Sequence, residues 1–439
     1  ELNRTVWGAG ISVDIVYSLD VLDRCLERLD LLGQIIATPP SRERSELAQR
    51  LLTRVVLQLH EARSLRALTT GNLRQLHRRI VERSARTGEH FIAGSRREYA
   101  HLLLAAGGGG VLMVGTTAAK LLAARLPISD FLHGLVYGVI YAITFLLLHH
   151  LHLVLATKHP AMTAATIATI LRDGRGNGRF DEIVDRMARI CHSQLAAAAG
   201  NVVMVALGAL AFTAMWQRLS GGAFLDHQTA QRTYESFSPL TSGTVFFAAL
   251  TGVLLWLSAL AGGWLDNWST WRRIPQGIAD HRLGSRLGHA RMVRWSATWE
   301  RHIGDWGSNI SLGLMLGMVP AIGHFLGAPL DVRHVTLSTG MLFTACGSLA
   351  DGWYSNAWFM LAVSGIFIMF LLNLGVSFTL SLWTALRALQ VPAADVRELL
   401  RRLGTRVMLR PLDFLLPPRT PAMADAGTEA PAAVTAGRP

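Results

Sequence analysis

Four positions open the question of chemistry: His133, His324, Asp331 and His334. Three imidazoles and a carboxylate at one depth could ligate Zn²⁺ or a similar ion through nitrogen and oxygen donors. The same groups could relay protons, because ionisable residues near a membrane face an interior or a cavity. Interfacial histidines that are hydrogen-bonded separately are the plainer alternative. Arg333 stands two residues from Asp331, and a local ion pair that fixes this turn is the preferred reading of the two. A second group, His149, His150, His152, Lys158 and His159, closes a long apolar run. His149 and His152 share a helix face at i, i+3 while His150 points elsewhere. A cationic belt on lipid headgroups is favoured there over a ligand site. No P-loop, nucleophile elbow or metalloprotease motif occurs, and no motif names a cofactor.

The elements that must position these groups follow from where charge is missing. Of 439 residues, 51% are hydrophobic and 16% charged, against about a quarter charged in soluble domains. Mean hydropathy is +0.32. Residues 1–100 are ordinary in charge and read as cytoplasmic amphipathic helix, the last part of a larger N-terminal domain. There Leu22, Leu26, Leu29 and Leu32 recur at helical steps between Asp23, Arg24, Glu27 and Arg28. Pro39-Pro40 breaks that helix and Ser41 can cap the next.

Six apolar runs follow: Leu102–Ala119, Phe131–Ala156, Gln194–Trp216, Gly243–Leu265, Asn309–Gly327 and Ala357–Leu386. Each is about long enough for a hydrocarbon core of roughly 30 Å. Six in one chain, separated by charged connections, make soluble core helices a poor account. The fold class is all-α: a polytopic membrane helix bundle over 101–386, then a basic amphipathic cytoplasmic helix over 387–415 and a disordered tail over 416–439. Asn201 and Asn373, inside spans, are expected to bond between helices. Asp266-Asn267 is expected to cap or anchor the basic loop that follows. Gly134 and Gly138, Gly313 and Gly317, and Gly323 and Gly327 have the spacing that lets helix backbones approach.

Net charge is +12, and the only lysines are Lys120 and Lys158. Arginine alternates along the chain: 13 over residues 42–97, one over 121–130, five over 157–193, two over 217–242, seven over 266–308, one over 328–356 and six over 387–410. The positive-inside bias then puts both termini on the cytoplasmic side. It also makes the basic excess a matter of topology before it is one of ligands. Val335–Ala350 is too short to span and rich in hydroxyls. Its crossing would carry the six C-terminal arginines outside, so it reads as a re-entrant segment on the outer side. Six of the twelve tryptophans flank or lie in 266–308, which reads as a loop on the inner membrane surface. Cys25, Cys191 and Cys346 are too scattered for a zinc ribbon or a disulfide framework. The chain opens at Glu1 without an initiator Met and reads as a fragment or a processed chain.

Three long motifs are distinctive. They are Tyr141–His152 with Leu155–Ala164 (YAITFLLLHHLH and LATKHPAMTA), Trp256–Trp271 (with LSALAGGWLDNW in its core) and Gly327–Gly340 (GAPLDVRHVTLSTG). Together they resemble a bacterial membrane family named site-specific recombinase, of the gonococcal-recombinase type, over roughly residues 90–415. The resemblance implies the bacterial inner membrane, a longer N-terminus and, by name, DNA recombination. A name is weaker evidence than a site.

A tyrosine recombinase needs arginines and a histidine around a pentavalent phosphate, a lysine acid and a tyrosine nucleophile. His60, Arg63, His90 and Tyr99 have roughly that order, but no lysine precedes Lys120. Solvated helix residues are the favoured reading of these four. Three classes stay open: a membrane protein that binds or transports a lipid, ion or small ligand; a membrane scaffold; and a DNA-acting protein. The partners expected are the bilayer and anionic lipid headgroups. A small ligand or ion and a second copy of the chain stay open, and nucleic acid is disfavoured because topology accounts for the arginines. Reporter fusions after residues 225 and 330 are expected to read periplasmic, and those after 175, 285 and 410 cytoplasmic. A periplasmic signal at 410 would mean that Val335–Ala350 crosses fully.

Overall fold

A computed structural model describes residues 13–62, 75–83, 95–155, 157, 160–174, 176, 178–349 and 357–416, and the description below concerns these alone. They form helices, and no strand occurs among them. In chain order the helices are α1 (Val13–Ala37), α2 (Arg42–Ala62), α3 (75–83), α4 (Arg96–Ala123), α5 (Asp130–His150), α6 (Pro160–Asp173), α7 (Gly178–Ser220) and α8 (His227–Ser236). Then come α9 (Thr244–Trp271), α10 (Ile274–Ala279), α11 (Gly284–Leu287), α12 (His289–Phe325), α13 (Val335–Ser348), α14 (Ala357–Ala388) and α15 (Ala393–Leu409). Six of them, α4, α5, α7, α9, α12 and α14, are long and apolar enough to cross a membrane. Sequence signals set several starts. The side chains of Ser95, Ser129 and Asp226 accept hydrogen bonds from the N–H groups of Glu98, Leu132 and Thr229.

The six pack as a ring: α4 on α7 and α5, α5 on α12, α12 on α9, and α9 on α14. The seam between α14 and α7 is filled by two shorter helices, α13 and α6, each packed on both. α3, α6, α10, α11 and α15 gather at one end of the bundle, the arginine-rich end, and α8 and α13 at the opposite end.

The tightest contact is α5 on α12, and glycines explain it. A Cβ at Gly317 would run into the backbone of Gly134 and Gly138, and one at Gly313 into the backbone of Ala142. In lipid, apolar surface gives no drive for helices to associate, so such backbone proximity is what holds them. Gly323 and Gly327 do not extend the seam. Gly323 faces Leu330, and Gly327 ends α12 at φ +65° with open space around it.

The second apolar run is only partly helix. It was expected to continue to Ala156, but α5 stops at His150 and Leu151 closes it. Residues 151–155 instead fold back across α4. Val154 N–H donates to the carbonyl of Ala105 at 3.3 Å, and His152 takes φ +54°. Leu153 and the Val154 carbonyl occupy the space over Gly108 and Gly109. This stretch is apolar because it is buried between helices, and the glycines of α4 are there to admit it.

Because the α5–α12 seam has no room for a side chain, Gly317→Val is expected to destabilise the bundle by about 1–3 kcal/mol. Gly115→Ala, in α4 with nothing within 4 Å, should leave stability unchanged or slightly raised. Thermal unfolding of the two variants in detergent checks the contrast.

Candidate functional sites

At the end opposite the arginines, α12 gives way to an extended turn that enters the bundle before α13. Asp331 Oδ2 pairs with Arg333 Nη2 at 2.8 Å, and Asp331 Oδ1 accepts from the N–H of Val332 at 2.7 Å. The Arg333 guanidinium lies over Phe237 and Phe247, 5.1 and 5.9 Å from the ring centroids. Asn373 of α14 closes the turn. Its Nδ2 donates to the carbonyls of Arg333 (3.0 Å) and Ala248 (2.9 Å), and its Oδ1 accepts from the N–H of Val335 (3.1 Å). Thr251 Oγ1 accepts from the N–H of Arg333 at 2.8 Å. Non-helical backbone inside a bundle needs such partners, and one asparagine supplies two of them while its third bond reaches α9. His334 is buried with both ring nitrogens unpartnered, and burial pushes it down to about 4, so it is neutral.

The ion pair of Asp331 with Arg333 is therefore present. The histidines read alongside it have other neighbours. His324 Nδ1 pairs with Asp130 Oδ2 at 2.6 Å, with both side chains largely exposed. His133 stacks on Tyr137 with centroids 5.7 Å apart, and Lys120 Nζ lies 5.5 Å from that tyrosine ring. Among the described residues, no three of His133, His324, Asp331 and His334 bring their ligand atoms within 4.8 Å of one another.

The bonds expected of the asparagines are both found. Asn201 Nδ2 donates to Ala106 O and Val154 O, at 2.8 and 2.9 Å, tying α7 to α4 and to the chain after α5. Asp266 is anchored as well, but its partner is Arg83 of α3 rather than the loop that follows α9. Arg83 also donates to the carbonyl of Glu300 at 3.0 Å, so α3 is clipped to both α9 and α12.

Of the recombinase-like quartet, Arg63 and His90 lie outside the described residues, as does the side chain of His60. Tyr99 is on the first turn of α4, half-buried, with its ring 6.3 Å from that of His192 on α7.

A different group comes together at the arginine-rich end. His149 Nε2 lies 3.1 Å from His302 Nδ1, so one ring donates to the other. Asp305, one turn after His302 on α12, completes a set with one ligand atom from each residue, all within 4.8 Å. It is the one such group among the described residues. His150 and His302 each stack on Trp306, at 6.1 and 5.8 Å. His150 Nδ1–H donates to the carbonyl of Leu146 at 2.8 Å. The helix face expected to carry His149 and His152 together does not form, since His152 lies in the turn after α5 has ended. Lys158 and His159 lie outside the described residues. The signal for the true partners was His302-x-x-Asp305 on one helical face, brought opposite His149 by the glycine register of α5 and α12.

The profile of site-specific recombinases matches residues 1–417. The chain belongs to that family. No curated protein and no solved structure matches it significantly. Within this site-specific recombinase family member, Tyr99 packs beside His192 at the foot of a bundle helix, and no lysine precedes it closely. Recombination that depends on the protein, read with a chromosomal reporter cassette, should therefore continue unchanged in Tyr99→Phe at equal expression. Its loss would make Tyr99 a nucleophile.

Proposed function

We propose that this protein is an inner-membrane scaffold whose working surface is its arginine-rich, cytoplasmic end, and that this surface holds the phosphates of anionic lipid headgroups. The observation that carries the reading is α15. One side of it is braced on α7: Arg402 bonds both carboxylate oxygens of Asp181 at 3.0 Å, and Arg406 reaches Asp185 at 3.3 Å and Asp413 at 2.8 Å. Away from those braces Arg397, Leu400 and Met408 are exposed, Met408 at 86%, while Arg401, which also pairs with Glu398, and Arg410 and Leu409 are exposed at the edge facing α7. A groove of about 360 Å³ between α15 and α7 is lined by Arg401, Arg402, Arg406, Arg410 and Leu409. Arginines beside unburied apolar side chains are what an interfacial helix on an anionic leaflet requires.

The opposite end supports a scaffold over a conduit. No residue of α13 is exposed. The hydroxyls of Thr339, Thr344 and Ser348 turn back to carbonyls of their own helix. At 14 residues, α13 is about 21 Å long, short of a span. Its first turn is held by Asn373 from within α14, and its last meets the connection after α7 through Leu225 N–H and Ser348 Oγ. A re-entrant element that plugs the bundle accounts for these contacts. DNA recombination, the activity in the family's name, is the second reading, and the same basic surface would have to serve it.

The triple variant Arg397→Gln, Arg401→Gln, Arg410→Gln leaves the braces to α7 intact. In detergent, its affinity for a short-chain phosphatidylglycerol should fall on the order of 100-fold, at roughly 1 kcal/mol per arginine, with phosphatidylcholine binding unaffected. Unchanged phosphatidylglycerol binding would overturn the proposal. Tight, salt-dependent binding of duplex DNA that the same substitutions abolish would favour the second reading.

A further inference from the structure

The group at the inner end of α5 and α12 is not used by the reading above. His149 comes from the last turn of α5, and His302 and Asp305 from one face of α12. Two imidazole nitrogens on one tetrahedral ion at 2.0–2.1 Å lie about 3.3 Å apart. His149 Nε2 and His302 Nδ1 are 3.1 Å apart, close to that separation before any ion is considered. The oxygen donor has a second property. Asp305 is half-buried, and among the described residues it has no ion pair and no side-chain hydrogen bond. Its neighbour in depth, Asp266, has Arg83. A half-buried carboxylate beside two imidazoles and no cation is a site short of positive charge.

Rigidity is the third element. Ala142 meets Gly313, and about two turns further along α5 and two back along α12 the same interface brings the His149 ring to 5.2 Å from that of His302. The seam that forbids a Cβ therefore also fixes the two ligand-bearing turns against each other. Trp306 stacks 19° from the plane of the His302 ring and holds that plane.

We propose that His149, His302 and Asp305 form a binding site for a divalent transition-metal ion of the Zn²⁺ type. Two nitrogens and one carboxylate oxygen suit such an ion and leave a coordination position for water or a ligand oxygen. Each imidazole must offer its facing nitrogen as a lone pair and carry its proton on the other nitrogen, so the ion competes with protonation and binding weakens as pH falls.

The test uses the full chain, made without a polyhistidine tag, purified in detergent and stripped with a chelator. Titration with Co²⁺, followed by its visible d–d absorption, should saturate at one equivalent, and Zn²⁺ should displace it. His149→Asn and Asp305→Asn should each weaken binding by on the order of 100-fold. His289→Asn, an exposed histidine at the start of α12, should bind as the parent does. Monodispersity and thermal midpoint of the metal-free proteins show whether each variant is folded. Bound Cu²⁺ adds a readout that needs no variant: its EPR spectrum should report two imidazole nitrogens. Failure of the parent chain to saturate at one equivalent, equal affinity in folded His149→Asn or Asp305→Asn, or a Cu²⁺ spectrum without nitrogen ligands would each overturn the site. Lipid binding by α15 does not enter any of these readouts.

Discussion

Backbone against backbone, with no side chain between, is the contact on which this bundle is built. α5 meets α12 through Gly134 and Gly138 on one side and Gly313 and Gly317 on the other. Lipid tails are as apolar as leucine, so helices in a membrane gain little by burying leucines and much by close approach. Such an approach also fixes register, because a slide or a rotation would bring a Cβ into the facing backbone. The same device continues round the ring. Gly262 of α9 lies on the Gly304 carbonyl of α12, Gly252 of α9 on the Leu372 carbonyl of α14, and Gly200 of α7 on the Leu103 carbonyl of α4. The α9–α12, α9–α14 and α7–α4 pairs are thus indexed in the same way as α5 and α12.

The ring is left incomplete between α7 and α14, and the two fillings differ in kind. α6 closes it with an apolar cluster in which Ile167 and Leu171 pack on Ile183, Phe378 and Leu382. α13 closes it with a polar cost, since the turn before it brings unpaired backbone groups into the bundle. Asn373 and Thr251 carry that cost for the turn, and Gly340 and Gly347 let α13 lie directly against Thr117 and Thr213. A helix and turn so held have few ways to move without exposing a carbonyl or an N–H to an apolar surround.

What the sequence made legible follows from the range of the interaction involved. The six long helices were readable because hydropathy is a property of one segment. Asp331 with Arg333 was readable because the partners are two residues apart. Asn201 and Asn373 were readable in kind but not in partner: that each must bond is local, and what each bonds to is tertiary. The end of α5 was misread because burial in lipid and burial under a neighbouring helix leave the same apolar letters. His149 with His302 could not be read at all, since 153 positions separate them and only the glycine register places them together. His152 drew attention instead because it is close in sequence, and the chain turns before reaching it. Asp266 was assigned to the loop it adjoins, while the arginine that reaches it arrives from α3.

The two ends of the bundle also differ in what their charges have left over. At the end opposite the arginines, Asp331 answers Arg333, Asp130 answers His324, and His334 is kept neutral by burial. Asp331 and Arg333 cancel inside the fold, and the aromatic rings of Phe237 and Phe247 cover that guanidinium. At the arginine-rich end the cancellation is partial. α15 uses Arg402 and Arg406 on α7 and turns other arginines outward, while Asp305 stands beside two imidazoles with no ion-pair partner among the described residues. Charge that a fold leaves unmatched in a half-buried place is matched by something else, or it costs stability for no return. On the reading proposed here, the outward chemistry of this site-specific recombinase family member lies at the arginine-rich end. On that same reading, the end that holds α13 serves to close the bundle.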